Sequence, residues 1–185
     1  MHNRLIQIAT RSIEGGLAIG RVAAPDRSDW PAEFSAPRAT FVTLTTATGG
    51  LRGCRGMLEP VRALGDDVWH NAFASAFDDP RFAPLVPSEL AAVEIEISIL
   101  SPLEPLAVAS EEELRRTLVP GRDGVVLSVG RQRATFLPKV WESLPDVGDF
   151  LGELKRKAGL PRGFWSPEVR IELYQAECYA GTLVH

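Results

Sequence analysis

A cysteine flanked by glycines and arginines is the part of the sequence best suited to chemistry. Residues 51–56 read Leu-Arg-Gly-Cys-Arg-Gly. Glycines let the backbone approach a ligand closely, and neighbouring arginines favour the thiolate form of a cysteine. One interpretation is that Cys54 is a catalytic nucleophile, with Arg52, Gly53 and Gly56 around it binding the substrate. The alternative is a glycine-rich bend in a β-hairpin, where the cysteine packs as a small apolar side chain.

A thiol nucleophile usually needs a base, and the chain has three histidines. His2 and His185 lie near the termini, where fraying is common. His70 is therefore the candidate catalytic partner of Cys54. It falls off the apolar stripe of its predicted helix, so a solvent-facing histidine is the alternative interpretation.

Two further charged segments could bind an anion. Asp79 and Arg81 belong to the run Asp-Pro-Arg-Phe, in which the carboxylate could orient the guanidinium for bidentate binding of a carboxylate or phosphate. The same run is also a good helix stop with a local ion pair. Lys157 ends the basic run 155–157, which is either the rim of an anion site or the last turn of a helix. The residues alone favour the structural alternative in both segments.

Composition narrows the classes of protein that remain. The 185 residues carry 20 Lys+Arg against 24 Asp+Glu, a net charge of -4, which argues against general nucleic-acid binding. Cys54 and Cys178 are the two cysteines, too few for a Cys-built zinc or iron–sulfur site. No recognisable motif encodes a cofactor or a metal site. No signal peptide or membrane-spanning apolar run is apparent, so we expect a soluble cytoplasmic protein.

The elements that must position these residues alternate between helical and strand patterns. Helical periodicity covers residues 1–20, 65–77, 110–118 and 146–158. Strand patterns cover residues 39–46, 51–60, 93–101, a hairpin over 124–138, and a final strand over 169–179. Strands and helices do not alternate regularly. This predicts an α+β fold with largely antiparallel sheets flanked by helices, in one domain over residues 1–185.

Five segments, taken in order, resemble those of a known family. They are residues 41–44 (FVTL), 51–54 (LRGC), 79–82 (DPRF), 136–138 (FLP) and 155–159 (KRKAG). The chain resembles the AMMECR-domain family, known in bacteria and archaea as AmmeMemoRadiSam system protein A, over nearly its full length. The resemblance implies an α+β fold of two associated lobes. It also favours functional roles for Arg52, Cys54, Asp79 and Arg81.

The family association implies work alongside a Memo-like protein and a radical S-adenosylmethionine enzyme. Two departures from the family pattern stand out. Arg55 occupies a position that is usually aliphatic, and Ala83 interrupts the D-P-R-F-P-P run. We expect an arginine at position 55 either to face solvent or to add charge beside the thiol.

These observations support three functional hypotheses. In the leading one, the protein is an enzyme or enzyme-system component that uses Cys54 in a cleft, and Arg52 and Arg81 hold a small anionic substrate. The backbone amides of residues 53–56 would stabilise negative charge. In the second, it is a non-catalytic adaptor for a Memo-like or radical enzyme partner. The third is RNA binding through the same arginines, which the acidic net charge disfavours.

Overall fold

In the computed structural model, which describes residues 1–183, the chain divides into two compact units. Unit 1 comprises Met1–Leu100 together with the chain from Glu177 onward, and unit 2 comprises Ser101–Ala176. Two four-stranded antiparallel sheets account for the strands, and helix makes up 36% and strand 27% of the structure. The predicted α+β class with antiparallel sheets is confirmed. His185 lies outside the described residues.

Unit 1 is a sheet with two helices packed on one face. Its elements are α1 (His2–Ile19), β1 (Thr40–Thr46), β2 (Leu51–Gly56), α2 (Leu64–Phe77), β3 (Val93–Leu100) and β8 (Ala176–Thr182), with short 3-10 helices at Ala32–Ser35 and Pro87–Ala92. The strand order is β2-β1-β3-β8, so β2 lies at an edge. Side chains from α1, α2, β1 and β3 form one apolar core, in which Ile13, Val42, Val68 and Ile97 are fully buried.

Unit 2 has its own sheet and core. Its elements are β4 (Glu104–Leu106), α3 (Glu111–Thr117), β5 (Gly124–Val129), β6 (Gln132–Phe136), a 3-10 helix (Pro138–Glu142), α4 (Val147–Lys157) and β7 (Arg170–Tyr174), in the strand order β4-β7-β5-β6. Trp141 stacks on Phe150 with ring centroids 3.7 Å apart. Both rings are buried in the same apolar cluster as Leu127 and Leu154.

All four predicted helices are present, but the predicted final strand is wrong. It is two strands, β7 and β8, which belong to different sheets and are separated at Gln175. Gln175 is exposed, its N–H donates to the Ser101 hydroxyl, and its carbonyl accepts from the Ser101 N–H. Strand periodicity cannot show that the chain changes sheets, because the alternation of side chains continues on both sides of the break.

Helix α2 lies unusually close to strand β2. The Ser75 hydroxyl donates to the Val42 carbonyl at 2.7 Å and accepts from the Arg55 N–H at 2.9 Å. A Cβ atom added at Gly53 would overlap the carbonyl oxygen of Ser75. One added at Gly56 would overlap the ring of Phe41, its cross-strand neighbour on β1. Packing against α2 and β1 therefore requires both glycines, whether or not a ligand is present.

We predict that Gly53→Ala destabilises the protein by about 1–3 kcal/mol, the usual cost of forcing extra volume into a packed interior. Gly15→Ala is the matched control, since an added Cβ there has no atom within 4 Å. Because alanine is the better helix former, Gly15→Ala should leave stability unchanged or raise it by up to about 1 kcal/mol. Urea unfolding of the three proteins measures both effects. Equal stability of the two variants would contradict the packing argument.

Candidate functional site

The carboxylate of Asp79, just beyond the end of α2, holds the cysteine segment in place. Its side chain is 1% exposed and accepts four hydrogen bonds. One comes from the Cys54 N–H at 2.9 Å, and three come from Arg81 through its backbone N–H (3.1 Å), Nε (2.9 Å) and Nη2 (2.6 Å). Arg81 Nη2 also lies 3.5 Å from the Cys54 carbonyl oxygen. These hydrogen bonds thus join the segments 51–56 and 79–82 to each other.

The hydrogen bonds to Asp79 explain its charge state. The Arg81 guanidinium, assisted by the N–H groups of Cys54 and Arg81, holds the pKa of the Asp79 carboxyl well below its usual range, although burial acts in the opposite direction. Asp79 is therefore a carboxylate at neutral pH. In turn, Asp79 and, to a smaller extent, Cys54 raise the pKa of Arg81.

Arg52 is paired with a carboxylate that the sequence did not point to. Its Nε and Nη2 donate to the two oxygens of Glu89 at 2.7 and 2.9 Å, and Nη2 also donates to the Ala83 carbonyl at 3.0 Å. The side chain is 11% exposed, and its buried Nη1 has no hydrogen-bond partner. Between the two arginines lies Phe82, whose ring centre is 5.9 Å from Arg52 Cζ and 5.5 Å from Arg81 Cζ.

The Cys54 thiol is half-buried and has a hydroxyl neighbour. Thr43 Oγ1 donates to its sulfur at 3.4 Å. Cys54 pairs with Thr43 on β1, and Thr43 pairs with Glu96 on β3, so the three side chains form a row across the sheet. Because side chains alternate along a strand, this row lies on the face opposite Val42 and Leu44, which point into the helix-covered core.

His70 lies on the other side of this sheet. It belongs to α2, the helix that covers the sheet face carrying Val42. Its Nδ1 is 2.7 Å from the Asp66 carbonyl oxygen. Arg55, the cross-strand partner of Val42, shares that side, and it lines a cavity together with His70. Cys54 does not line this cavity. The structure therefore does not bring Cys54 and His70 together, and it directs Arg55 away from the thiol.

Lys157 and the terminal histidine at position 2 have partners of their own. Lys157 ends α4 in unit 2, where its Nζ donates to the Thr135 carbonyl at 2.9 Å and lies 5.1 Å from the Phe136 ring centre. His2 is held in place rather than frayed, since its Nε2 is 2.7 Å from the Ala180 carbonyl oxygen.

Within residues 1–183 there is no group of three or more His, Cys, Asp or Glu side chains placed to hold a metal ion. None of the helices described is both long and apolar enough to cross a bilayer.

These features define an α+β protein with two four-stranded sheets and a free thiol on an edge strand. The AMMECR1 family profile matches residues 6–179, and the chain belongs to this family, as the sequence motifs predicted. A protein of Methanothermobacter thermautotrophicus is 38% identical over 182 residues, covering 95% of this chain and 91% of the relative. A protein of Thermotoga maritima is 36% identical over 175 residues, covering 94% and 95%.

A solved structure supports the same assignment. The crystal structure of the uncharacterised protein PH0010 from Pyrococcus horikoshii superposes on this chain with a TM-score of 0.90 at 32% sequence identity. The match covers 97% of this chain and 90% of that one. The fold of the family is therefore shared over nearly the whole chain.

We predict that Asp79→Asn lowers the free energy of unfolding at pH 7 by about 1–3 kcal/mol, because it leaves the buried donors imperfectly paired. A carboxyl with a depressed folded-state pKa stabilises the protein above its unfolded-state pKa of about 4, and this contribution is lost as the pH falls. The difference between wild type and variant should therefore shrink below about pH 4.

Urea unfolding at several pH values measures this difference. The matched control is Asp78→Asn, which changes the neighbouring, exposed carboxylate and should alter stability by less than about 0.5 kcal/mol. A stability difference for Asp79→Asn that stays constant between pH 7 and pH 3 would show that its ionisation does not stabilise the fold.

Proposed function

We propose that the protein is an enzyme, or a component of an enzyme system, that uses the Cys54 thiol on a small anionic substrate. One observation carries the proposal: Asp79 binds both the strand that carries a half-buried thiol and a half-exposed arginine, whose orientation it fixes. A cytoplasmic location is part of the proposal, and the two free thiols, Cys54 and Cys178, agree with a reducing compartment.

Arg81 is the residue suited to bind the anion. It uses Nε and Nη2 on Asp79, which leaves the two N–H groups of Nη1 to donate to a ligand. Its side chain is 54% exposed, so an anion can reach it. Because the carboxylate fixes the plane of the guanidinium, little conformational entropy is lost when a ligand binds.

Arg52 has a different role in this proposal. Its guanidinium is almost completely buried, and the bidentate pair with Glu89 and the Ala83 carbonyl already occupy Nε and Nη2. We assign it to positioning: it ties strand β2 to the segment after Phe82, which keeps that ring beside Arg81.

The row across the sheet places a hydroxyl next to the thiol, whereas His70 lies on the other side of the sheet. The Thr43 hydroxyl donates to the Cys54 sulfur at 3.4 Å. Glu96 follows Thr43 in the cross-strand register. We therefore assign Thr43 to orienting the thiol, and we assign no role in this chemistry to His70.

We predict that Cys54 reacts faster with anionic iodoacetate, relative to neutral iodoacetamide, than Cys178 does. Cys178 is an exposed thiol of the same chain and provides an internal reference. A single charge pair about 4 Å apart in water changes a rate by about fivefold, so Arg81→Gln should lower the iodoacetate preference of Cys54 by about two- to fivefold. Peptide mass spectrometry after timed alkylation measures both sites at once.

Arg55→Gln is the matched control for this experiment. It removes the same charge from the residue next to Cys54, but on the opposite face of the strand, so the reagent preference of Cys54 should change little. If the two substitutions lower the iodoacetate preference of Cys54 equally, the preference depends on the net charge of the protein and not on Arg81 in particular. An unchanged preference in Arg81→Gln would rule out Arg81 as the anion-binding group.

A second candidate function is the adaptor role, which one observation favours. Leu51 and Val86 are apolar side chains exposed by 42% and 47%, and they belong to the two segments that the Arg52–Glu89 pair joins. A contiguous exposed apolar patch is typical of protein contacts, and this candidate function places Leu51 and Val86 in one such patch. If this function is correct, a purified Memo-like protein should bind Cys54→Ser as well as wild type, and should bind Leu51→Ser/Val86→Ser more weakly.

A further inference from the structure

A second concave surface lies on the helix side of strand β2, away from the thiol. It is a cavity of about 410 Å³ between β2, the segment that follows it, and α2. Its polar wall includes Arg55, Arg62 and His70, and its apolar wall includes Met57 and Phe73. The volume is in the range of small-molecule sites, and apolar walls with a few convergent polar groups are typical of them.

Hydrogen-bond donors in this cavity remain available for a ligand. The exposed Arg55 guanidinium makes no hydrogen bond or ion pair within residues 1–183. Arg62 spends one nitrogen, Nη1, on Asp67 Oδ1 at 3.0 Å and on the Met57 sulfur at 3.4 Å. Its other N–H groups have no partner in the described chain. Two guanidinium groups with free donors thus line the same cavity.

Asp67 does not compete for these donors. It is fully buried, and its Oδ2 accepts from the Thr40 N–H, the Thr40 hydroxyl and the Asn71 amide at 2.7–2.9 Å. Its remaining oxygen takes Arg62. These hydrogen bonds saturate the Asp67 carboxylate, whose charge offsets that of Arg62, and they leave no acceptor on Asp67 for Arg55.

His70 adds a polar group of fixed orientation. A carbonyl can only accept, so the contact of Nδ1 with the Asp66 carbonyl at 2.7 Å places a proton on Nδ1. In the neutral ring this leaves Nε2 as an acceptor without a partner among residues 1–183. Asp78 is the single acidic residue among those described that line the cavity, and it limits the negative charge that a ligand can carry.

From this arrangement we infer a binding site for a small carboxylate with an apolar body. The carboxylate would take Arg55 and the free edge of Arg62 in bidentate hydrogen bonds, and the apolar body would lie against Met57 and Phe73. The carboxylates of Asp67 and Asp78 balance the charge of the two guanidinium groups, so recognition depends on directed hydrogen bonds and favours a singly charged ligand. The site is distinct from the thiol surface, because β2 directs Arg55 and Cys54 to opposite faces.

The test is an NMR titration of the full chain with benzoate, following the ring signals of His70. Benzamide serves as the neutral isostere, acetate as the carboxylate without an apolar body, and inorganic phosphate as the alternative anion. Benzoate should shift His70 with saturation and should bind more tightly than the other three. Equal binding of benzamide would overturn the anion site, equal binding of acetate would overturn the apolar wall, and equal or tighter binding of phosphate would overturn the choice of carboxylate.

Two variants and two controls locate the site. Arg55→Gln should weaken benzoate binding about fivefold or more, the effect of a charge pair about 4 Å apart in water. Ala74→Leu should abolish binding by filling the cavity without removing charge, and a thermal melt confirms that this variant folds. Arg131→Gln, an exposed arginine of the β5–β6 turn, and Cys54→Ser should leave binding unchanged. If Arg131→Gln weakens binding as much as Arg55→Gln, or if benzoate leaves His70 unshifted at its highest soluble concentration, the inference is wrong.

Discussion

The outer edge of strand β2 must have its hydrogen bonds satisfied, and the architecture around the thiol follows from this constraint. An edge strand presents backbone groups that pair with no neighbouring strand. Here the Cys54 N–H donates to Asp79, and the Cys54 carbonyl lies within reach of Arg81. Asp79 reaches this position because α2 packs so closely on β2 that residue 53 has no room for a side chain. The two most distinctive motifs of the chain are therefore complementary halves of one contact.

The same hydrogen bonds determine what the arginines can bind. Clustered arginines in a sequence suggest an open positive patch, yet Arg52 and Arg81 each form a bidentate pair with a carboxylate. The local charge is nearly balanced, which disfavours a site for polyanions such as nucleic acid. The remaining hydrogen-bonding capacity is that of Arg81, whose free edge faces solvent in a direction fixed by its pair with the carboxylate. Recognition here would depend on geometry more than on electrostatic attraction.

The sequence predicted the helices, most of the strands and the two segments that form the site, because periodicity, turn residues and motifs are local signals. Apart from the local Asp79–Arg81 pair, it did not predict which side chains meet. Thr43 lies beside Cys54, and Glu96 beside Thr43, through the register of three strands, and Glu89 reaches Arg52 from a 3-10 helix. The alternation of Glu94, Glu96 and Ser98 with apolar residues indicates a partly solvated face on β3, but the partner of each residue depends on long-range pairing that no local pattern encodes.

His70 is a second case in which the sequence alone does not show which side chains meet. The small number of histidines in the chain points to His70 as a base, but it carries no information about which face of a sheet a helix covers. Once α2 is placed on the Val42 face, His70 and Cys54 are separated by the sheet, while His70 and Arg55 meet. Arg55 therefore belongs to the helix side of β2 and takes no part in the contacts of the thiol. Because adjacent strand residues face opposite ways, one strand can carry two surfaces that change independently, with Gly53 and Asp79 holding the backbone common to both.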